Sequence, residues 1–556
     1  MKTTRREFLK KAGLGTTAVA LPGLFTVGCS KGSKPNIVFI MSDDHAEQAI
    51  SCYNNKLIQT PNLDRIAEEG VRFENSFVTN SICGPSRATL LTGKYSHKNG
   101  FKDHRDRFDG GQQTFPKLLQ KAGYKTAIVG KWHLKSEPTG FDYWNILRGQ
   151  GQYYNPTLRE IGQEEGKEYE GYCPDIVTDL ALEAMNDLGS TDPFCMMIHF
   201  KSPHRNWMPN TKYLDAFEDT EFPIPDTFDD DYSDRDAADE AEMRIQDMWL
   251  SFDQKMVRPY YGEETGMGGK DSWTENVGDS WERALDRLTD EQRKPWDAHY
   301  KKRMEAFQKL QLTGREKKVW MFQNYLRDYL GCVLSIDENI GRVLDYLDEK
   351  GLADNTILVY TSDQGMYLGE HGWYDKRFMY EESLSMPLLM RYPMEMPSGK
   401  VVKDMVLNLD FASTFLDYAG IDTPPDIQGT SMRPLMRRWY ANKWRHAIYY
   451  HYYENPNSWH NVRGHCGVRT ERYKLLHFYH EDRWELFDLK TDPDEMNNLY
   501  EDVEYADVVV EMKEELERLI EVYEDDIDQT MIDHEQWVLE QEKKKAEEEA
   551  KKDSES

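Results

Sequence analysis

Four short apolar runs, each followed at once by polar and ionisable residues, constrain the fold of this chain more than any other feature. The runs are residues 37–41, 126–129, 194–200 and 357–361. Continuous apolar runs of this length are typical of strands in a sheet that is buried on both faces. We therefore predict an α/β fold in which helices flank a large, doubly wound mixed sheet.

The polar residues that follow the four runs are predicted to meet in space. Ser-Asp-Asp-His at 42–45 follows the first run, and Ser-Asp-Gln-Gly at 362–365 follows the last. The two middle runs lead into Gly-Lys-Trp-His at 130–133 and Lys-Ser-Pro-His at 201–204. Open α/β sheets bind ligands outside the carboxyl ends of their strands. We expect one crevice that holds all four strand ends together with Cys83.

Cys83 lies in the motif Cys-Gly-Pro-Ser-Arg, which continues as Ala-Thr-Leu-Leu-Thr-Gly at 88–93. Proline suits the first turn of a helix, so the motif predicts that a helix begins here. The free N–H groups and positive dipole end of a helix N-terminus favour an anion, which a nucleophile at Cys83 would face. The plain alternative is a buried cysteine before an ordinary helix, because free cysteine usually behaves as a small hydrophobic residue.

The residues after the first and last runs also predict a metal site. Asp43, Asp44, Asp363 and Gln364 offer only hard oxygen donors. Such donors suit calcium or magnesium, whereas zinc would require thiolate or imidazole ligands. An isolated Asp-Asp pair is more often a solvated turn or a helix cap. Two such pairs after matching strands instead favour one bound cation, and calcium is our choice.

The Cys83 motif resembles the signature of type I sulfatases, which belong to the alkaline phosphatase superfamily. The resemblance implies that a formylglycine-generating enzyme oxidises Cys83 to Cα-formylglycine, an aldehyde whose hydrate attacks sulfur. It also implies one Ca²⁺ ion beside residue 83, with Asp43, Asp44, Asp363 and Gln364 as its other ligands. Gln364 departs from the pattern, since this ligand is more often Asn or His.

The same resemblance assigns roles to five basic residues. Arg87 and His133 would hold the hydrated formylglycine, while Lys131 and Lys376 would bind sulfate oxygens. His204 would donate a proton to the departing sugar oxygen, a task that suits imidazolium because it titrates near neutrality. Each of these residues alone would be read as a solvated charge or a core imidazole, and only their motifs taken together favour a site.

We therefore expect a sulfuric ester hydrolase that acts on a sulfated carbohydrate. Residues 362–373 and 375–377 resemble bacterial sulfatases that act on 6-O-sulfated N-acetylglucosamine of host glycans, as do residues 451–454 and 467–475. A sugar pocket must bond hydroxyl groups in order to reject analogues that lack them. Six residues are predicted to contact the sugar: Asp375, Arg377, His451, His460, Arg463 and His465.

Other functions stay open at this point. The substrate could be another sulfated sugar, or the chain could be a formylglycine-dependent phosphonate or phosphodiester hydrolase, because sulfate and phosphate are both tetrahedral. An unmodified Cys83 would leave a non-catalytic glycan-binding protein. The sequence leaves open the sulfate position, exo or endo action, the disulfide pairing and the oligomeric state.

Charge and cysteine content exclude some partners. The chain of 556 residues has a formal net charge of −30. Nucleic acids and anionic membranes both require a positive patch, so neither is an expected partner. Of the seven cysteines, Cys29 and Cys83 belong to the motifs described here, and the scattered remainder predicts no disulfide framework.

Residues 1–33 resemble a twin-arginine export signal, since Arg5 and Arg6 precede a mildly apolar stretch that contains Gly and Ala. The resemblance implies recognition by the twin-arginine export machinery and a periplasmic location. Cys29 ends a weak lipobox, which leaves open an anchor through a lipid on this residue.

The remaining sequence predicts two structured parts and a tail. Residues 34–434 are expected to form the sulfatase catalytic domain, with an acidic helical insertion at about 215–315 that contains several tryptophans. Aromatic and β-branched runs between about 444 and 490 predict a small antiparallel sheet. Residues 435–525 would then form a smaller α+β subdomain, and the Lys- and Glu-rich residues 526–556 a charged tail.

Overall fold

The computed structural model describes residues 34–188, 192–256, 282–437, 444–454 and 459–555, all of which belong to the unit Lys34–Ser556. The predicted export signal, with Cys29, lies outside the described residues, as does part of the predicted helical insertion. The boundaries proposed for the domains therefore stay predictions.

A ten-stranded mixed sheet forms the centre of the described unit. The strands of the molecule are β1 (Asn36–Ser42), β2 (Val71–Phe73), β3 (Ser76–Phe77), β4 (Lys125–Lys131), β5 (Tyr143–Leu147), β6 (Thr157–Glu160), β7 (Lys167–Glu168), β8 (Phe194–His199), β9 (Thr356–Ser362), β10 (Leu388–Arg391), β11 (Lys400–Val402), β12 (Val406–Leu407), β13 (Ala447–Tyr452), β14 (His465–Thr470), β15 (Tyr473–Phe478) and β16 (Arg483–Asp488). The order in the large sheet is β11-β2-β10-β9-β1-β8-β4-β5-β6-β7, and β3 pairs with β12 separately.

The four apolar runs of the sequence form the adjacent central strands β9, β1, β8 and β4, which are parallel to one another. Residue Asn36 pairs with Thr356 and Ser42 with Ser362, so β1 and β9 end side by side. Parallel strands present their carboxyl ends at the same edge. The predicted mixed sheet is confirmed, and the topology explains why its strand ends can share one site.

Helices cover both faces of the sheet. Phe39 on β1 packs into one core cluster with the helices around Leu91 and Phe415, whereas its neighbour Ile40 packs into another with those around Val177 and Ile340. The helices are α1 (Pro61–Glu69), α2 (Cys83–Thr92), α3 (Ser96–Asn99), α4 (Phe115–Lys121), α5 (Cys173–Leu188), α6 (Asp236–Asp239), α7 (Asp290–Leu310), α8 (Gly314–Glu349), α9 (Glu381–Leu384), α10 (Asp410–Ala419), α11 (Arg433–Met436), α12 (Ala506–Tyr523) and α13 (Ile527–Glu555). Alternate side chains of a strand point to opposite faces, so the continuous apolar runs reflect burial on both.

The smaller sheet near the C-terminus has the strand order β13-β14-β15-β16, and each neighbouring pair is antiparallel. Helix α12 packs against it through buried residues that include Met512, Leu516 and Leu519. The predicted antiparallel sheet is thus confirmed. Within the part of the chain that the structure describes, none of the helices has the length and apolar character needed to cross a membrane.

Candidate active site

The ends of β1 and β9 bring together the four residues that were predicted as metal ligands. The backbone N–H of Asp44 donates a hydrogen bond to Asp363 Oδ1 at 3.1 Å. One carboxylate oxygen from each of Asp43, Asp44 and Asp363 lies within 4.8 Å of the others. Gln364 is buried beside them and donates from Nε2 to Asp44 Oδ1. Three carboxylates and one amide from two strand ends therefore form a single cluster.

Two oxygen atoms of the cluster remain available to bind a cation. Asp43 Oδ1 and Gln364 Oε1 are buried and have no hydrogen-bond partner within the described ranges. Buried polar atoms without a partner are rare in folded proteins. Carboxylate and amide oxygens are also the donors that a hard divalent cation prefers. The residues present thus fit such an ion.

Helix α8 holds the Asp44 turn in place. Asp44 has a φ of 64°, in the left-handed region that disfavours residues other than glycine. The Tyr329 hydroxyl donates to the Asp44 carbonyl at 2.7 Å and accepts from the Ala46 N–H at 2.9 Å. This clamp on two backbone groups compensates for the unfavourable turn and aims the Asp44 carboxylate at the cluster.

Each carboxylate of the cluster has a cationic partner. Arg87 donates from Nε and Nη2 to Asp363 Oδ2, at 2.9 and 2.8 Å. Lys131 contacts Asp43 through Nζ, and Lys376 Nζ donates to Asp44 Oδ2 at 2.6 Å. These contacts place three of the predicted basic residues at the strand ends.

Burial and neighbouring charges shift the pKa values of two of these carboxyl groups in opposite directions. Burial alone would raise the pKa of Asp43, but Lys131, His204 and Arg87 outweigh it and hold that pKa well below its usual range. Burial, reinforced by the neighbouring Asp43, raises the pKa of Asp363 to about 7 despite its contact with Arg87. Crowded carboxylates cannot all ionise at their usual pKa unless further positive charge is present.

Cys83 is the first residue of α2, and Arg87 follows one turn later on the same helix. Residues four apart share one helix face, which explains how both can face the carboxylates. Cys83 is only 1% exposed, and burial raises the pKa of its thiol to about 12. The thiolate is the nucleophilic form of cysteine, so burial disfavours the reactive form of an unmodified Cys83.

The two predicted catalytic histidines, His133 and His204, both have ring nitrogens near Cys83 Sγ. His133 shares a group of neighbouring ligand atoms with Cys83 and His104, and its Nδ1 has no hydrogen-bond partner among the described residues. His204 Nδ1 is 2.5 Å from the Arg205 carbonyl, which leaves Nε2 facing the site at 3.7 Å from Asp44 Oδ2. Burial lowers the pKa of both imidazoles well below the usual value. A bound anion would raise it again.

A cavity of about 740 Å³ opens above Cys83, His204 and Lys376. Three of the predicted sugar contacts line it, namely Asp375, Arg377 and His460. They contact one another, since Asp375 is 3.1 Å from Arg377 Nε and 3.2 Å from His460 Nε2. The cavity wall therefore offers hydrogen-bond donors and acceptors next to the cluster.

The other three predicted sugar contacts do not line this cavity. His451 is buried against Asp525, with 2.7 Å between Nδ1 and Oδ2. His465 Nε2 accepts from the backbone of Met379 at 3.2 Å, in an aromatic pocket of the smaller sheet. Arg463 forms ion pairs with Glu240 and Glu481. Their polar atoms are satisfied by protein partners in the smaller sheet and its surroundings.

Three residues of the cavity wall were not predicted as site residues from the sequence. Gln150 accepts a hydrogen bond from Lys131 Nζ, and His104 lies beside His133 with 5.0 Å between ring centroids. Lys201 also lines the cavity. Only Lys201 carried a usable signal in the sequence, because it lies two residues after β8, in the motif that ends at His204.

Comparison with known proteins identifies the family. A family model described as Sulfatase matches residues 35–421, and one described as N-sulphoglucosamine sulphohydrolase, C-terminal, matches residues 369–522. The chain belongs to the sulfatase family, whose members are sulfuric ester hydrolases and generally use formylglycine and a metal ion.

The similarity extends over most of the chain. An N-acetylglucosamine-6-O-sulfatase of Bacteroides thetaiotaomicron is 46% identical over 530 residues, which cover 93% of this chain and 92% of that protein. A solved structure of a protein in complex with its substrate D-glucosamine-2-N,6-O-disulfate is 47% identical, with a TM-score of 0.83, and covers 89% of this chain and 99% of its own. A phosphonate monoester hydrolase from Silicibacter pomeroyi, 19% identical with a TM-score of 0.67 over 88% of this chain and 96% of its own, shares the fold alone.

Proposed function

We propose that this sulfatase removes the 6-O-sulfate from N-acetylglucosamine or N-sulfated glucosamine of host glycans, with Ca²⁺ and a formylglycine made from Cys83. The observation that carries the proposal is the position of Cys83 beside three buried carboxylates, at the base of a cavity lined by Asp375, Arg377 and His460. The curated relative is named for 6-O-sulfated N-acetylglucosamine, and the solved structure holds a 6-O-sulfated glucosamine as its substrate; each is nearly half identical to this chain.

Asp43, Asp44, Asp363 and Gln364 would hold the Ca²⁺ ion, which offsets the charge of sulfate oxygens and acidifies an attached hydroxyl group. Formylglycine supplies an aldehyde hydrate at residue 83, which provides one hydroxyl for attack and a second that permits release of sulfate. The raised pKa of the Cys83 thiol supports the need for this modification, because a protonated thiol is a poor nucleophile.

The basic residues bind and orient the reacting group in this proposal. Lys131 and Lys376 hold sulfate oxygens, and Arg87 holds residue 83 through its position one turn further along α2. His204 protonates the departing sugar oxygen from Nε2, the ring nitrogen that faces the site. His133, whose Nδ1 lacks a protein partner within the described ranges, accepts a proton from residue 83.

Asp375, Arg377 and His460 would select the sugar by hydrogen bonds to its hydroxyl groups. Their backbones have φ angles of 77°, 104° and 65°, which are unfavourable for residues that have a Cβ. Such conformations persist where the surroundings impose them, and they are concentrated at functional sites. The ion pair of Arg377 with Glu454 is one contact that fixes the strained segment.

A substrate panel tests the proposal. Sulfate release is measured from glucosamine derivatives sulfated at O6, at O3, or at both N2 and O6, alongside a phosphodiester. We expect release from the 6-O-sulfated sugars and little from the others. An Asp375→Ala variant should lose most of this activity, whereas release from a simple aryl sulfate should fall less. Preference for the phosphodiester would contradict the proposal.

The modification is tested separately by the mass of the peptide that contains residue 83. A mass lower than that of the cysteine form, together with reactivity toward a carbonyl reagent, is the expected result. An unmodified peptide in a fully active preparation would contradict the role of formylglycine.

We also propose export to the periplasm by the twin-arginine machinery, after the formylglycine-generating enzyme has acted. The support is the Arg5-Arg6 pair in residues 1–33. Replacing both arginines by lysine should retain the chain in the cytoplasm, as measured by cell fractionation. Metabolic labelling with a fatty acid, compared with a Cys29→Ala variant, tests the lipid anchor.

A further inference from the structure

Lys201 is a buried cation at the edge of the active-site cavity. It is the second residue after β8, it lines the cavity and it is only 4% exposed. Its Nζ lies 4.7 Å from the centroid of the Tyr153 ring. The backbone of the next residue, Ser202, accepts a hydrogen bond from the Asp43 N–H at 3.1 Å. Lys201 is therefore fixed beside the carboxylate cluster.

Lys201 differs from the other buried cations of the cavity wall. Across the ranges that the structure describes, its ammonium group has neither a carboxylate within ion-pair distance nor a hydrogen-bond acceptor, and it lies over the ring of Tyr153. Lys376, Arg377 and the partly buried Arg205 also line the cavity, and each is paired with a carboxylate: Lys376 with Asp44, Arg377 with Glu454, and Arg205 with Asp253.

A buried charge without a partner destabilises the fold, and it is tolerated where a ligand compensates for it. Burial, with repulsion from Lys131, lowers the pKa of Lys201 to about 8, which still leaves most of the ammonium charged at pH 7. Lys201 and His204 line the same cavity as Cys83. The compensating ligand must be an anion that enters the cavity.

We propose that Lys201 binds an oxygen of a sulfate group of the substrate, in addition to Lys131 and Lys376. This proposal rests on the proposed function, because it assumes a sulfated sugar in the cavity. Two sulfates could supply the oxygen: the reacting 6-O-sulfate beside Cys83, or a second sulfate on the same sugar ring. The chemistry is the same for both, and the experiment separates them.

The test compares Lys201→Met with a matched buried lysine outside the cavity lining. Lys255 is fully buried, also lies near an aromatic ring, at 5.4 Å from Trp207, but is 3.2 Å from Asp328. Lys255→Met should lower the Tm, because it removes a partner of a buried carboxylate, and should leave sulfate binding unchanged. Lys201→Met should leave the Tm unchanged or higher, because it removes an unpaired charge.

One binding constant and two KM values are measured on the mature enzyme. They are the binding of inorganic sulfate by thermal shift, and the KM values for 6-O-sulfated and for 2-N,6-O-disulfated glucosamine. A lost hydrogen bond to a charged group weakens binding by about tenfold or more. A loss of that size for inorganic sulfate and both sugars identifies the reacting sulfate, and a loss confined to the disulfate identifies the second sulfate.

The proposal would be overturned if the Lys201→Met variant keeps all three values within about twofold of the wild type. It would also be overturned if this variant loses as much Tm as Lys255→Met and binds sulfate no more weakly than the wild type. If Lys201→Met does not fold, Lys201→Gln replaces it in the same comparison. The thermal shift with inorganic sulfate needs no turnover. Failure of the proposed function, seen as a wild type that releases no sulfate from either sugar, is thus distinguishable from failure of the role of Lys201.

Discussion

Gly130 of β4 allows a close approach to β8, the strand that leads to Lys201 and His204, and its replacement by alanine tests the importance of this approach. Gly130 is paired with His199 in the parallel register of β4 and β8, and it has a φ of 103°. A Cβ atom at this position would lie 2.0 Å from the His199 carbonyl oxygen, whereas ordinary contacts begin near 3.4 Å. That oxygen belongs to the backbone and cannot rotate away. Gly130→Ala must therefore push β4 and β8 apart just before Lys131 and Lys201.

The size of the effect follows from two costs. A residue with a Cβ in the left-handed region costs about 1–2 kcal/mol, and overpacking in a rigid core costs about 1–3 kcal/mol more. Unfolding entropy is about 2 cal/mol/K per residue, so a chain of this length loses about 1 °C of Tm for each kcal/mol. We expect Tm to fall by about 2–5 °C. A shift of about 1 Å at catalytic groups can cost about 100-fold in rate, so kcat/KM should fall at least tenfold.

Gly123→Ala is the matched control. Gly123 has a φ of 88°, and a Cβ there would meet nothing within 4 Å. It carries the conformational cost without the clash, so Tm should fall by no more than about 2 °C and kcat/KM should stay unchanged. Calorimetry and sulfate release measure the two quantities. Equal losses of Tm and activity in the two variants would refute the argument that Gly130 spaces the strand ends.

Three further results are expected. Cys83→Ser without conversion should keep its Tm within about 1 °C, because the side chains have similar size, yet lose turnover by orders of magnitude; normal turnover without an aldehyde would contradict the mechanism. Chelation should lower both Tm and activity, with Ca²⁺ restoring them, because three buried carboxylates lose their cation; an unchanged Tm would exclude a resident ion. Asp525→Asn should lower Tm at pH 7, since His451 outweighs burial and holds the pKa of Asp525 below its usual value. That stabilisation is present above about pH 4 and declines as the pH falls further, so the two Tm values should converge in acid; a constant difference would exclude this pair as the source.

The central strands were predictable because burial on both faces leaves a direct trace in the sequence. The middle of β1 (residues 37–41) and of β9 (residues 357–360) is continuously apolar, and the change to Asp43 and Asp363 marks the point where each strand ends. Parallel pairing then brings the two ends together without further information. The carboxylate cluster could be predicted from the sequence for the same reason.

The strands of the smaller sheet were predictable, but the partners of its buried histidines were not. His451 on β13 pairs with Cys466, His465 on β14 pairs with Tyr452, and both histidines are buried. A polar residue in a strand reveals neither which face it occupies nor what covers that face. Here Asp525, which follows α12, and the backbone of Met379 satisfy the two imidazoles. Partners so distant in the sequence could not be assigned from periodicity.

The backbone of the site also has unfavourable φ angles that could not be predicted from the sequence. Asp44, His133, Asp375, Arg377 and His460 all have φ between 57° and 104° without being glycine. Each such residue costs about 1–3 kcal/mol and persists only where its surroundings impose it. These residues lie at or near one cavity, whose wall also holds the unpaired charge of Lys201. Neither the strained backbone angles nor the unpaired charge adds to the stability of the fold. Strained backbone and unpaired charge are concentrated at functional sites, so substitutions that relieve them here should raise Tm while they lower activity.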